Sequence, residues 1–188
     1  MPMFLSDFNI IIGEAGSGKT VFTVELIKIL KNEVNIVFDC DGSFFHYVKR
    51  HMEELKNIKI DKTRIIQTTS QSDIKNKLDI LLENNIKCNV FIDSVQCLPG
   101  QIVDKQYNNF FHSLPKGPRY IITKNGFRSM DNQYQANYVN IGMPYTKFLT
   151  TSENNDLFVN FDERKMRIRD FASQYMRNLN LNILLDEK

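Results

Sequence analysis

Apolar positions along the chain change period several times, and each change predicts an element. Phe8–Ile12 is a nearly unbroken apolar run and reads as a buried strand. From Lys19 to Lys31, Phe22, Leu26, Ile29 and Leu30 recur at helical spacing. Asn35–Phe38 reads as a second strand, and Phe44, Val48, Met52 and Leu55 predict a helix from about Ser43 to Leu55. Arg64–Thr68 follows as a third strand. Ile74, Leu78, Leu81 and Leu82 mark another helix, with Ser72 as its cap. Asn89–Asp93 is a fourth strand, Tyr107, Phe110, Phe111 and Leu114 predict a short helix, and Arg119–Thr123 is a fifth strand. Strands that alternate with helices of this length need crossover connections, which implies a parallel sheet covered on both faces.

The pattern changes past residue 125. Between Asn125 and Met143 there is no period, and turn-forming and polar residues dominate. Lys147–Thr151, Leu157–Phe161 and Lys165–Asp170 then read as strands. Asn154-Asn155-Asp156 and Asp162-Glu163 separate them, as in an antiparallel meander. Phe171–Leu185 reads as a helix with a less regular apolar pattern. The expected organisation is a core over residues 1–170 and a C-terminal tail over 171–188.

Composition narrows the class. With 188 residues, 42% hydrophobic and 24% charged, the chain is sized for one globular domain, and collagen-like, low-complexity and disordered classes are excluded. No apolar run reaches the ~18 residues of a membrane span. The N-terminus has no basic segment followed by an apolar one, so no secretory signal is expected. Cys40, Cys88 and Cys97 form an odd set without Cys-x-x-Cys spacing, which argues for a reducing, cytoplasmic setting rather than a disulfide framework or zinc site. His46, His51 and His112 make no metal spacing with these cysteines. A net charge of +2 is too small to imply nucleic-acid binding by itself.

The segment Gly13-Glu14-Ala15-Gly16-Ser17-Gly18-Lys19-Thr20 fits G-x-x-x-x-G-K-[ST], between a predicted strand and a predicted helix. Glycines let the backbone wrap closely, so that N–H groups point at phosphate oxygens, and the helix N-terminus adds a favourable dipole. Lys19 can then reach terminal phosphates, and the Thr20 hydroxyl can ligate Mg²⁺. Such a loop needs a carboxylate on the metal side. Asp93, at the end of the apolar strand Asn89–Asp93, supplies it; the plainer reading is an acid capping a turn.

Hydrolysis of a nucleoside triphosphate also requires a group that orients water. Many ATPases with added central strands place a Glu directly after the metal-side Asp, but here that position is Ser94. Asp41, just past the second strand, would lie at the carboxyl edge of a parallel sheet, where ligands bind. Asp41 is the candidate base and Asp39, closer to the strand body, its competitor; the plainer reading of Asp41 is a turn or helix-capping acid, a part Ser43 could also play.

Taken together these segments resemble the RecA/KaiC superfamily of ATPases, which includes the archaeal and eukaryotic recombinases and their short paralogues. Gly13–Thr20 resembles its phosphate loop. Phe38-Asp39-Cys40-Asp41-Gly42-Ser43-Phe44 resembles its D-T-E-G-[ST]-F segment, with Asp41 where the catalytic Glu usually stands. Val90-Phe91-Ile92-Asp93-Ser94-Val95-Gln96 is similar to its V-x-I-D-S-[VIL] segment. Ile121-Ile122-Thr123-Lys124-Asn125 resembles its strand ending in T-N-Q, which makes Asn125 a polar switch between the γ-phosphate and a DNA-binding loop. The resemblance covers residues 8–170. It implies a three-layer αβα RecA-like P-loop fold, with a mostly parallel sheet and an antiparallel C-terminal extension. It also implies ATP and Mg²⁺ as cofactors, and ATP hydrolysis in DNA recombination, repair or other DNA handling. Since the chain starts close to the first strand, a stand-alone core is expected, such as a short RecA-like paralogue or a viral relative. A KaiC-like regulatory ATPase and a non-hydrolysing nucleotide-binding adaptor, both binding protein rather than DNA, are the alternatives; a small-molecule kinase fits less well.

Two charged stretches bear on partners. In Lys165–Asp170, Lys165, Arg167 and Arg169 would share one strand face. The plainer reading is a solvated edge strand protected by cations. The resemblance adds another, since Lys165-Met166-Arg167 is similar to the Lys-x-Arg pair with which KaiC-type subunits reach a neighbour's γ-phosphate. That reading requires a homo-oligomer or a larger RecA-like partner. Between Pro115 and Thr150, five cations (Lys116, Arg119, Lys124, Arg128 and Lys147) face one acid, Asp131. With Phe127, Tyr134 and Tyr138 among them, this is a candidate single-stranded DNA loop, with Lys124, Phe127 and Arg128 as its contacts. An ordinary polar loop is the alternative.

Overall fold

A computed structural model of the chain describes residues 5–51, 62–98, 104–128, 134–135 and 144–175. The elements run β1 (Phe8–Gly13), α1 (Lys19–Ile29), β2 (Val34–Asp39), α2 (Ser43–Arg50), β3 (Thr63–Gln67), α3 (Gln71–Glu83) and β4 (Cys88–Asp93). A 3₁₀ turn (Val95–Cys97), α4 (Asp104–Ser113), β5 (Arg119–Asn125), β6 (Phe127–Arg128) and β7 (Tyr134–Gln135) follow. β8 (Thr146–Glu153), β9 (Asp156–Phe161), β10 (Arg164–Arg167) and a helix over 168–175, α5, complete the described chain.

Eight strands form one mixed sheet in the order β10-β9-β8-β1-β5-β4-β2-β3. All pairs from β8 to β3 are parallel. β8, β9 and β10 form the expected antiparallel meander. The meander is not a separate layer, because β8 pairs in parallel with β1 and extends the main sheet. β6 and β7 make a two-stranded ribbon apart from it, inside a stretch where the sequence shows no period.

Alternation along the strands divides the core in two. Ile10, Ile12, Ile36, Phe38, Val90, Ile92 and Ile122 face one side, clustered with Ile74 and Leu78 of α3 and Phe110 and Phe111 of α4. Ile11, Val37, Phe91, Ile121 and Phe148 face the other, clustered with Phe22 and Leu26 of α1, Phe44 of α2, and Ile168 and Phe171 of α5. Both faces are thus covered by helices, as near-continuous apolar strands require. Phe171 stands edge-on to Phe22 with ring centroids 4.9 Å apart, so the first residue of the expected tail is already part of the core. Residues 176–188 lie outside the described residues. No helix among the described residues is long and apolar enough to cross a membrane.

Three boundaries differ from expectation. The cap of α3 is Ser70 rather than Ser72: Ser70 is extended, with φ −118° and ψ 123°, and its hydroxyl accepts from Asp73 N–H at 3.3 Å. The capping residue lies outside the helix, so a Ser one residue into it cannot serve. β5 runs through Asn125, so Lys124 belongs to a strand. β10 stops at Arg167, because the chain turns helical at 168 to bury Ile168 and Phe171. Arg169 therefore does not share a strand face with Lys165 and Arg167.

Candidate functional site

The loop between β1 and α1 depends on its glycines for stated reasons. A Cβ on Gly13 would lie 2.2 Å from both Ser17 Oγ and Thr150 Oγ1. Gly16 and Gly18 have φ of +77° and +92°, which L side chains rarely adopt. Ser17 is buried, its hydroxyl 2.7 Å from that of Thr150, which fastens the loop to β8. The first helical bond of α1 runs from Phe22 N–H to Gly18 O, so the amides of Lys19, Thr20 and Val21 have no helical acceptor, the arrangement that suits an anion. Lys19 is buried, and its ammonium donates to the carbonyls of Gly13 at 3.0 Å and Glu14 at 2.7 Å. Burial pushes its pKa down, opposed by the charges of Asp93, Asp41 and Glu14. Thr20, half-buried, is the second residue of α1.

Three carboxylates gather beside this loop. Asp39 and Asp93 are register partners at the ends of β2 and β4. One oxygen from each of Asp39, Asp41 and Asp93 lies within 4.8 Å of the others, a spacing that can hold a metal ion. Asp39 is buried, its oxygens accepting from Gly42 N–H and Phe45 N–H at 2.9 Å each. It thus caps α2 with both oxygens, which leaves Asp41 as the freer acid. Asp41 is exposed and accepts from Ser43 N–H at 2.9 Å. Desolvation raises the Asp41 pKa, but hydrogen bonds from Ser43 and Ser94 outweigh it and hold it below the usual value. Asp93 is 1% exposed; burial, with Asp41 and Asp39 near, pushes its pKa up to about 6. Its Oδ1 accepts from the Thr123 hydroxyl at 2.6 Å and its Oδ2 from the Ser43 hydroxyl at 3.3 Å.

Asn125 ends β5 opposite Gly13, and its N–H donates to Gln96 Oε1 at 3.2 Å. The next amide, of Gly126, donates to Gly13 O at 3.0 Å. The loop between β1 and α1, the turn after Asp93 and the ribbon thus meet at the end of β5. Thr123, Ser43 and Gln96 join the site although none is a candidate site residue by sequence. Thr123 was legible by alternation, since it shares the strand face of Ile121 and Asn125.

The basic stretch does not form one patch. Arg119 begins β5 at the opposite end of the sheet, where it donates to Asn89 Oδ1 at 2.8 Å. Lys116 lines a cavity of about 480 Å³ at that same end, with Phe8, Phe111 and Tyr120. Lys124 is 5% exposed within β5. Seven strand residues span about 20 Å, so charges summed along the sequence fall at both ends of the sheet. The five cations therefore do not all belong to the candidate DNA loop, and Lys124 is buried within β5; Phe127 and Arg128 form β6. Lys165 and Arg167 lie on the edge strand, paired with Glu153 at 2.5 Å and Asp156 at 3.1 Å. Neither a model of a known family nor a curated protein matches the sequence of this chain.

Proposed function

We propose that the chain binds ATP with Mg²⁺ and hydrolyses it to ADP and phosphate, on a RecA-like core that acts in DNA recombination, repair or other DNA handling. The observation that carries this reading is convergence. The loop Gly13–Thr20, Asp41, Asp93 and Asn125 all stand at the carboxyl ends of four parallel strands, β1, β2, β4 and β5. β5 separates β1 from β4, as in ATPases with an added central strand.

The residues have distinct tasks in this reading. Lys19 exchanges the Gly13 and Glu14 carbonyls for the terminal phosphates. Bound Mg²⁺, held by the Thr20 hydroxyl and through water by Asp93, would neutralise charge on the phosphates. The donor set fits such an ion, since a hydroxyl and carboxylates are hard oxygen ligands. Asp41 orients a water and takes its proton as the water oxygen bonds to the γ-phosphorus and the bond to the β-phosphate oxygen breaks. Asn125 senses the γ-phosphate and passes that state to β6, two residues on, where Phe127 and Arg128 contact single-stranded DNA. Lys165 and Arg167 would reach a neighbour's γ-phosphate only by exchanging Glu153 and Asp156 for it.

A second reading is favoured by Asp41 itself. Its carboxylate is one methylene shorter than the family's Glu and is tied to Ser43 N–H, which weakens it as a proton acceptor. A non-hydrolysing adaptor follows if water is not activated. Phosphate release from ATP with Mg²⁺, with and without single-stranded DNA, separates the two, alongside ATP binding by Lys19→Ala. Turnover that DNA accelerates and that Lys19→Ala abolishes supports the ATPase. Binding without turnover supports the adaptor. Equal ATP affinity and turnover in Lys19→Ala overturns the phosphate site.

A further inference from the structure

We propose that Thr123 is a positioning residue for the metal-side carboxylate, setting which oxygen of Asp93 is presented to Mg²⁺; this deepens the nucleotide reading and rests on it. The backbone ladder between β4 and β5 is registered only as far as Ile92 and Ile122. At the next position the chain leaves β4 through Ser94, with φ +59°. There the Thr123 hydroxyl spans the two strands. It accepts from Ser94 N–H at 2.7 Å and donates to Asp93 Oδ1 at 2.6 Å, and Thr123 is 1% exposed.

The direction of these bonds follows from chemistry. An amide N–H can only donate, so the Thr123 oxygen is the acceptor there. Its single proton is left for Asp93 Oδ1. That oxygen is thereby held toward β5, and Oδ2 is left to Ser43, whose own N–H is bonded to Asp41. A metal-side carboxylate whose free oxygen, here the one that would hold the water on Mg²⁺, is set by a partner on its other oxygen is a recurrent outer-shell arrangement at metal sites. A valine at 123 would keep the shape but leave Ser94 N–H without its acceptor and Asp93 Oδ1 without its donor. A serine would keep both bonds.

The test titrates Mg²⁺ against a fixed concentration of a fluorescent ATP analogue, for wild type, Thr123→Val and Thr123→Ser. The half-saturating Mg²⁺ concentration is expected to rise about 10- to 100-fold in Thr123→Val, the range seen when outer-shell partners are removed. Nucleotide affinity in EDTA should be unchanged, and Thr123→Ser should restore the wild-type Mg²⁺ dependence. Equal Mg²⁺ dependence in Thr123→Val and wild type overturns the proposal, and so does a Thr123→Ser variant as impaired as Thr123→Val. If Thr123→Val does not fold by circular dichroism, Thr123→Ala takes its place. If neither folds while Thr123→Ser does, the hydroxyl is a folding determinant and the proposal fails. Wild-type protein that binds no nucleotide with Mg²⁺ overturns the nucleotide reading itself, a result distinct from binding that is indifferent to residue 123.

Discussion

Two acids two residues apart are set to opposite tasks by their hydrogen bonds. Asp39 has both oxygens on amides of the α2 start, whereas Asp41 is exposed with one on Ser43. Asp39→Asn should therefore lower stability by about 1–2 kcal/mol, as loss of a buried cap does. Asp41→Asn should stay within about 0.5 kcal/mol of wild type, as surface changes do, while phosphate release disappears and ATP binding remains. Urea melts and single-turnover assays check both; hydrolysis that survives in Asp41→Asn and not in Asp39→Asn would reverse the assignment. Asp93 gives a pH signature. Its folded pKa of about 6 lies above the ordinary unfolded value, so the folded state holds the proton more tightly. That contribution is present at pH below about 4 and is lost as pH rises to about 6. The free protein should thus lose melting temperature across this window more than Asp93→Asn does, while Mg²⁺-dependent nucleotide binding by wild type rises through it. The candidates Lys19, Asp41 and Asp93 were legible because their spacing in the chain is their chemistry. The strand face of Thr123 was legible by alternation, but its task was not, because that comes from a partner 30 residues away on a neighbouring strand.

Among the elements, strand existence followed from apolar runs, but ends did not. The last residues of β5 and the first of α5 are fixed by what they pack against, which local periodicity does not contain. β6 and β7 are two residues each, too short to show alternation. The charge of the 115–150 stretch misled for a similar reason: a sum along the chain ignores that a strand carries its ends apart. The proposal of DNA contact therefore narrows to Phe127 and Arg128. Arg128→Ala should reduce the salt slope of single-strand binding by roughly one charge, as loss of a phosphate contact does. Phe127→Ala should cost about 1–3 kcal/mol with little change in slope, as loss of a stacked base does. Fluorescence anisotropy with a labelled oligonucleotide across salt concentrations measures both. No single-strand binding by wild type at low salt, with or without ATP, would remove the DNA reading and leave the KaiC-like regulator.

For the whole molecule, helix and strand alternation announced an α/β fold, whereas strand order was not readable. Periodicity records which face of a strand is buried and says nothing of its neighbours. Nor does the sequence show whether Lys165 and Arg167 serve this chain or another, since their pairing with Glu153 and Asp156 is a matter of edge geometry. Arg167→Ala should lower turnover only at concentrations where copies associate; a rate independent of concentration and unchanged in the variant would leave Arg167 as an edge charge. The order has a consequence for how the protein is made. β1, which leads into the candidate phosphate loop, lies between β5 and β8 in the sheet, and both come after it by more than a hundred residues. During synthesis the N-terminal segment can assemble β2, β3 and β4 but offers β1 no neighbour. The glycine loop is therefore made before the strands that flank it, waiting for β5 to enter the gap between β1 and β4. Nascent chains released before Arg119 should carry the entire phosphate motif and retain no ATP, and such long-range closure is slow. The interval in which β1 stands unpaired is when a chaperone has most to protect.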